Sequence, residues 1–292
     1  MGTFRTFLFA PANHPRRTEK AFTLGADAVI LDLEDACAVS EKIPSRAKVV
    51  QAMQLPRNCL GYVRVNPLST IYAYGDLQET IQPGLDGVVL PKVENTGEAQ
   101  TADWLITQLE RERGLAPGSI DLMPIIETAL GLANLASILA TTPRIRRVAF
   151  GAGDFTLDLG LRWSRNELEL LAYRNQITLL SRAAGKEPPI DTVWVDLKDA
   201  EGFEQSTMHI KDLGYQGKMC IHPDQIAVAN RCFTPTPEQV ARAQRVIDAF
   251  AEAEAAGSSS IQLDGQFIDY PIVYAAQRVL AISEKIAKLA VR

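Results

Sequence analysis

The stretch Asp121-Leu122-Met123-Pro124-Ile125-Ile126-Glu127-Thr128-Ala129-Leu130-Gly131 reads as a short apolar strand that ends on a carboxylate and turns at once into helical sequence. An apolar run without polar alternation is what a strand shows when both faces of its sheet are covered, so this unit belongs to a parallel sheet flanked by helices. The pattern repeats at Arg147–Phe150, which runs into Gly151-Ala152-Gly153-Asp154. Working outward, eight such strands are expected: Thr6–Phe9, Ala28–Leu31, Gly61–Val65, Gly87–Leu90, Asp121–Ile126, Arg147–Phe150, Thr192–Val195 and Lys218–Ile221. Helical patterns at Gly97–Arg113, Leu130–Ala140, Ser164–Ala184 and about Glu201–Leu213 separate the later ones. Eight βα units predict a TIM (β/α)8 barrel of the α/β class, with chemistry at the C-terminal ends of its strands. A doubly wound sheet is the alternative, but no Gly-x-Gly-x-x-Gly follows the first strand.

The barrel is expected to occupy residues 1–236, and a C-terminal helical extension and lid residues 237–292. That extension comprises a helix at Pro237–Ala256, a Gly-Ser hinge at Gly257–Ser260, the segment Ile261–Pro271 and a last helix through Arg292. A hairpin tail that only supports oligomerisation is the competing reading. The chain's 292 residues suffice for a sizeable core, and 47% hydrophobic with 22% charged residues is ordinary globular composition. A net charge of −5 without a basic stripe argues against nucleic acid as the partner. The apolar N-terminal run is too short for a signal peptide and ends at Pro11, so a cytoplasmic location and no membrane contact are expected. Cys37, Cys59, Cys220 and Cys232 lack paired spacing, which disfavours a thiolate zinc site or a disulfide framework.

The strand ends collect an unusual set of polar residues: Asp32, Glu34 and Asp35, then Arg64, Lys92, Glu127, Asp154 and His222. So many charges near a core must pair, bind a metal or face a wet cleft. Glu127 and Asp154 can share one hard divalent cation through oxygen ligands. The competing reading makes them unrelated helix caps. Asp32, Glu34 and Asp35 offer a carboxylate to hold metal-bound water or a salt bridge to Lys92. Arg64 carries a planar fork suited to a carboxylate or enolate oxygen, or else neutralises the acidic cluster. Arg16, Arg17 and Lys20 suit a phosphate-bearing ligand or plain solvated surface. His222 is a base, a metal ligand or a structural hydrogen-bonder.

Arg5–Pro11, Ala26–Ala36 with its Asp32-Leu33-Glu34-Asp35 block, Val63–Asn66, Leu90-Pro91-Lys92, Gly151–Phe155 and Gly217–Pro223 together resemble the citrate lyase β-subunit family of the HpcH/HpaI aldolase superfamily, which includes citramalyl-CoA and malyl-CoA lyases. The first loop departs from the family's Pro-Gly by reading Pro11-Ala12-Asn13. The resemblance implies Mg²⁺ on Glu127 and Asp154, a substrate carboxylate at that metal with Glu127 also binding substrate, and Arg64 facing the reacting thioester. It further implies that Phe9, Arg16 and Lys20 line the CoA or acyl-carrier arm, and that Asp269 of Phe267–Pro271 reaches a neighbouring subunit's site in a homo-oligomer, a trimer. The expected reaction is cleavage of citramalyl-CoA, malyl-CoA or a citryl thioester to an acetyl thioester and an oxo acid. Arg64 then stabilises the thioester enolate and Asp269, flanked by apolar Phe267, Ile268 and Pro271, protonates it. A CoA-independent aldolase, a malyl-CoA thioesterase or malate synthase-like activity, and a non-catalytic carrier-protein-binding subunit are the alternatives.

Overall fold

The computed structural model describes residues 4–289, which fall into two compact units, Phe4–Asn230 and the residues from Arg231 onward. The first is a closed parallel barrel of β1 (Thr6–Pro11), β2 (Ala28–Asp32), β3 (Leu60–Arg64), β4 (Gly87–Leu90), β5 (Asp121–Ile126), β6 (Ala149–Phe150), β7 (Ile190–Asp191) and β8 (Gly217–Cys220). Strand β1 pairs with both β2 and β8, which closes the ring and leaves no edge. The TIM barrel expected from the sequence is therefore the fold.

Alternation along each strand explains where the site lies. The barrel interior is packed with Phe7, Ile30, Tyr62, Met123, Ile125, Ala149, Ile190 and Met219. Side chains on one face of a strand recur every second residue. Two residues beyond Phe7, Ile30, Tyr62, Ile125, Ala149, Ile190 and Met219 come Phe9, Asp32, Arg64, Glu127, Gly151, Thr192 and Ile221, and all of these line a cavity of about 440 Å³ at the strands' C-terminal ends. The apolar core thus gives way to charge at one level of the barrel.

Three elements differ from expectation. The β-branched run Thr192–Val195 lies beyond the seventh strand, because the ladder forms where Ile190 meets Ala149 and Gly217 and where Asp191 meets Lys218. Asp191 is fixed there by ion pairs to Arg174 (2.9 Å) and Lys218 (2.6 Å), a buried network that apolar patterning does not register. The helix expected over Leu130–Ala140 divides into Ala129–Ala133 and Leu135–Ala140 at Asn134, whose Nδ2 donates to the Glu94 carbonyl at 2.8 Å. Regular helix expected from Ser164 begins at Leu171, after a 3₁₀ turn at Leu168–Leu170 that follows Glu167 in a left-handed conformation (φ 52°). Among the described residues no helix is long and apolar enough to cross a membrane.

The second unit contains the helix Pro237–Ala255, the hairpin of β9 (Ile261–Leu263) and β10 (Gln266–Ile268), and the helix Tyr270–Leu289. A capping box between Thr236 and Gln239 starts the first helix. Asp264 and Gly265 both have positive φ (50° and 77°), the backbone that a two-residue hairpin turn requires. Val246, Phe250, Ile268 and Val273 form this unit's own core. The end of the helix expected to reach Arg292 lies outside the described residues.

Candidate active site

The register of β2 on β3 sets Asp32 directly beside Arg64. Arg64 donates Nε to Asp32 Oδ1 (2.7 Å) and Nη2 to Asp32 Oδ2 (2.6 Å), a fork-to-fork pair that fixes the guanidinium plane. Its Nη1 lies 2.8 Å from Glu34 Oε2, and its guanidinium carbon stands 4.8 Å from the Phe9 ring centre. Burial opposes the charge of Asp32, but the charge and hydrogen bonds of Arg64 outweigh it and hold that carboxyl below its ordinary range. Two of Arg64's five N–H donors are engaged by Asp32, and the Glu34 contact adds an ion pair.

Two strands further round the barrel, Glu127 follows β5 and is 4% exposed. Burial, and then the repulsion of Glu34, push its carboxyl up to about 8. Gly151 makes this position possible, because a Cβ there would come within 2.6 Å of Glu127 Oε2 and 2.8 Å of Ile125 Cγ2. Asp154 sits in the first turn of the helix Ala152–Asp158 rather than at the strand end itself, with its side chain 33% exposed. Neither acid is a helix cap: Thr128 accepts from Gly131 N and caps the helix after Glu127, and Gly151 holds the cap position before Asp154.

Lys92 joins these groups. Its backbone N–H donates to Glu127 Oε1 (2.8 Å), and its Nζ bonds Glu34 Oε1 (2.7 Å) and lies 3.1 Å from Asp154 Oδ2. Glu34 thus makes the salt bridge to Lys92 that the sequence offered as one option, and burial raises its carboxyl despite two cations beside it. Asp35 is exposed at the rim, 3.9 Å from Arg64.

The structure therefore brings Phe9, Asp32, Glu34, Asp35, Arg64, Glu127 and Asp154 together around one cavity. Arg16 and Lys20 are exposed on the helix Pro15–Ala21 and do not line it. Asp269 belongs to the second unit, half-buried between β10 and the last helix, where its carbonyl accepts from Val273 N at 3.0 Å. His222 Nδ1 accepts from Asp224 N at 3.3 Å, a local turn contact. Two positioning residues escaped the sequence. Lys42 is buried and donates Nζ to the Leu33 and Glu34 carbonyls and to Asn66 Oδ1, tying down the Asp-Leu-Glu-Asp loop. Thr192 Oγ1 accepts from Ala152 N at 2.9 Å, at the start of the helix that carries Asp154. Lys42 opens an otherwise ordinary helix, so no local signal marks it.

The donor chemistry suits a hard divalent cation. Glu127 and Asp154 supply carboxylate oxygens to the same cavity, and magnesium commonly takes one or two carboxylates and fills its other positions with substrate and water. The buried charge of Glu127 is the one such an ion would compensate. Among the described residues no group of three or more His, Cys, Asp and Glu side chains could hold a metal ion by itself, so a cation on Glu127 and Asp154 would need further ligands from substrate and solvent.

The protein is thus a parallel eight-stranded barrel that gathers an arginine locked by Asp32 and two carboxylates around the cavity at its C-terminal mouth. The chain belongs to the HpcH/HpaI aldolase/citrate lyase family, whose model matches residues 5–223. It is 37% identical over 285 residues to citrate lyase subunit beta of Leuconostoc mesenteroides subsp. cremoris, covering 96% of this chain and 93% of that one. It is 34% identical over 286 residues to a (3S)-malyl-CoA thioesterase of Cereibacter sphaeroides, covering 97% and 96%. The fold superposes on the protein CitE from Mycobacterium tuberculosis in complex with magnesium, acetoacetate and coenzyme A with a TM-score of 0.78 at 28% identity, over 97% of this chain and 98% of that one.

Proposed function

We propose that the protein is a Mg²⁺-dependent carbon–carbon lyase that cleaves a β-hydroxyacyl thioester of the citramalyl, malyl or citryl type to an acetyl thioester and an oxo acid. The observation that carries this reading is the pairing of Asp32 with Arg64 at the cavity that Glu127 and Asp154 also line, which supports a rigid cationic donor acting beside two carboxylates able to take a metal. The family relationship and the magnesium and coenzyme A in the related complex support it.

Cleavage of such a substrate passes the hydroxyl proton to solvent, breaks the carbon–carbon bond so that its electron pair moves onto the thioester as an enolate, and protonates the carbon of that enolate. Glu127 and Asp154 would hold the magnesium, which when bound would supply Lewis-acid stabilisation of the developing negative charge. Arg64, whose plane is set by Asp32, directs its remaining N–H groups at the thioester oxygen, where negative charge develops. Phe9 stacks beneath that guanidinium and walls the thioester side from water. Asp269 protonates the enolate carbon, delivered from the C-terminal unit of a second copy in a homo-oligomer, a trimer in this reading. The carrier is CoA or an acyl-carrier thioester, with Arg16 and Lys20 along its phosphate arm.

A thioesterase outcome is the second reading, favoured by the malyl-CoA thioesterase relative. Replacing Glu127 or Asp154 by Ala is expected to remove Mg²⁺ binding and turnover together while leaving the melting temperature within a few degrees of the parent, since the barrel's mouth contributes chemistry more than stability. Chelation with EDTA should do the same reversibly. Turnover that persists in metal-free buffer refutes the metal assignment.

A further inference from the structure

Lys92 touches three carboxylates at once. Its backbone adopts φ 52°, a left-handed conformation unusual for a residue with a Cβ. From there the main chain reaches Glu127 (2.8 Å), while the side chain divides between Glu34 (2.7 Å) and Asp154 (3.1 Å).

We infer that Lys92 is a resident cation that competes with the divalent metal for Asp154 and keeps the metal affinity of the substrate-free site low. The inference rests on the reading above that Glu127 and Asp154 hold the metal. Two effects of Lys92 oppose each other. By anchoring Asp154 it reduces the ordering cost of metal binding, an effect worth roughly tenfold at most for one short side chain. By placing a positive charge a few ångströms from the ion's ligands it repels a dication, which at the effective dielectric of a protein surface is worth on the order of a hundredfold or more before screening. Its side chain is 34% exposed, so screening removes part of that repulsion but leaves it the larger effect. Removing the ammonium leaves Glu34 paired with Arg64 alone. In the wild-type protein, a metal that arrives chelated by an oxo-acid or hydroxy-acid carboxylate meets less repulsion than the bare ion. Metal and acid therefore bind cooperatively and reciprocally.

Titration calorimetry of metal-free protein with Mg²⁺ alone, and again with pyruvate present, tests this on wild type, Lys92→Met and Lys92→Arg. Lys92→Met is expected to bind Mg²⁺ about tenfold more tightly than wild type, to lose most of the gain that pyruvate gives, and to be restored toward wild type in Lys92→Arg. Unchanged or weaker Mg²⁺ binding by a Lys92→Met protein with a wild-type circular dichroism spectrum overturns the inference. Should that variant fail to fold, Lys92→Gln removes the same charge and is read by the same criteria. Glu127→Ala and Asp154→Ala separate the two levels. If both lose Mg²⁺ binding yet Lys92→Met does not tighten it, only the competition fails. If neither changes Mg²⁺ binding, the metal site itself is wrong.

Discussion

Glu127 sits where its surroundings oppose its charge, and the consequence is measurable. Its carboxyl is raised from an ordinary 4.5 to about 8 by burial and then by Glu34. A raised carboxyl favours the protonated folded state, so its contribution to stability is complete below about 4.5 and is lost as pH rises through about 8. Metal binding needs the ionised form. Metal-free protein at pH 7 should therefore release a proton from Glu127 on taking up Mg²⁺, seen as a heat that varies with buffer ionisation enthalpy, and affinity should rise with pH and level off near 8. Binding at pH 7 without proton release would show Glu127 already ionised. Gly151→Ala should displace this carboxylate, because the added Cβ meets Oε2 at 2.6 Å; the expected loss of Mg²⁺ binding with little change in circular dichroism is checked by the same calorimetry. Arg64→Lys keeps the charge but not the fork, so turnover should fall by roughly 100- to 1000-fold, the usual cost of one preorganised oxyanion donor. Near-normal turnover in that variant would leave Arg64 only the task of balancing Asp32 and Glu34. Glu127, Asp154 and Arg64 were legible in the sequence because each lies at or just beyond the C-terminal end of an apolar run. Lys42 and Thr192 were not, since they act by holding neighbouring backbone and carry no pattern of their own.

Among the elements, β7 shows where apolar patterning fails. It is a two-residue strand whose second residue, Asp191, is fully buried between Arg174 and Lys218, which are themselves fully buried. Glu167 completes the network on Arg174 at 3.0 Å, and Ser206 donates to Glu167 at 2.7 Å. A strand held by ion pairs has no hydrophobic signature, whereas the neighbouring Thr192–Val195 consists of residues that favour strands. Asp191→Ala leaves two cations in the core without their partner and should destabilise the barrel by about 3–5 kcal/mol in guanidinium unfolding. A loss below about 1 kcal/mol would mean that solvent or Glu167 takes over the charge. The strands β1 to β5 and β8 were legible because their apolar runs and their ladders coincide. The breaks at Asn134 and before Leu171 arise from single side-chain contacts, to the Glu94 carbonyl and between Glu167 and Arg174, which lie far from the periodicity that marks a helix.

At the scale of the whole molecule, the barrel followed from counting βα units, whereas the role proposed for the second unit involves another copy of the chain and so lies beyond any single-chain pattern. If Asp269 serves a neighbour's site, mixtures of inactive Asp269→Ala and inactive Glu127→Ala subunits should regain part of the activity after subunit exchange, because some sites then combine an intact metal centre with an intact acid. Demonstrated exchange without recovery would confine Asp269 to its own chain or remove it from the reaction. Whether this barrel breaks a carbon–carbon bond with a metal and an arginine is decided by incubating the protein with citramalyl-CoA, malyl-CoA and citryl-CoA and quantifying acetyl-CoA, oxo acid and free thiol with and without EDTA. Equal amounts of acetyl-CoA and oxo acid are expected from at least one of these thioesters, with no free thiol and no product after chelation. Free thiol without acetyl-CoA, or product formation indifferent to EDTA, would contradict that reading.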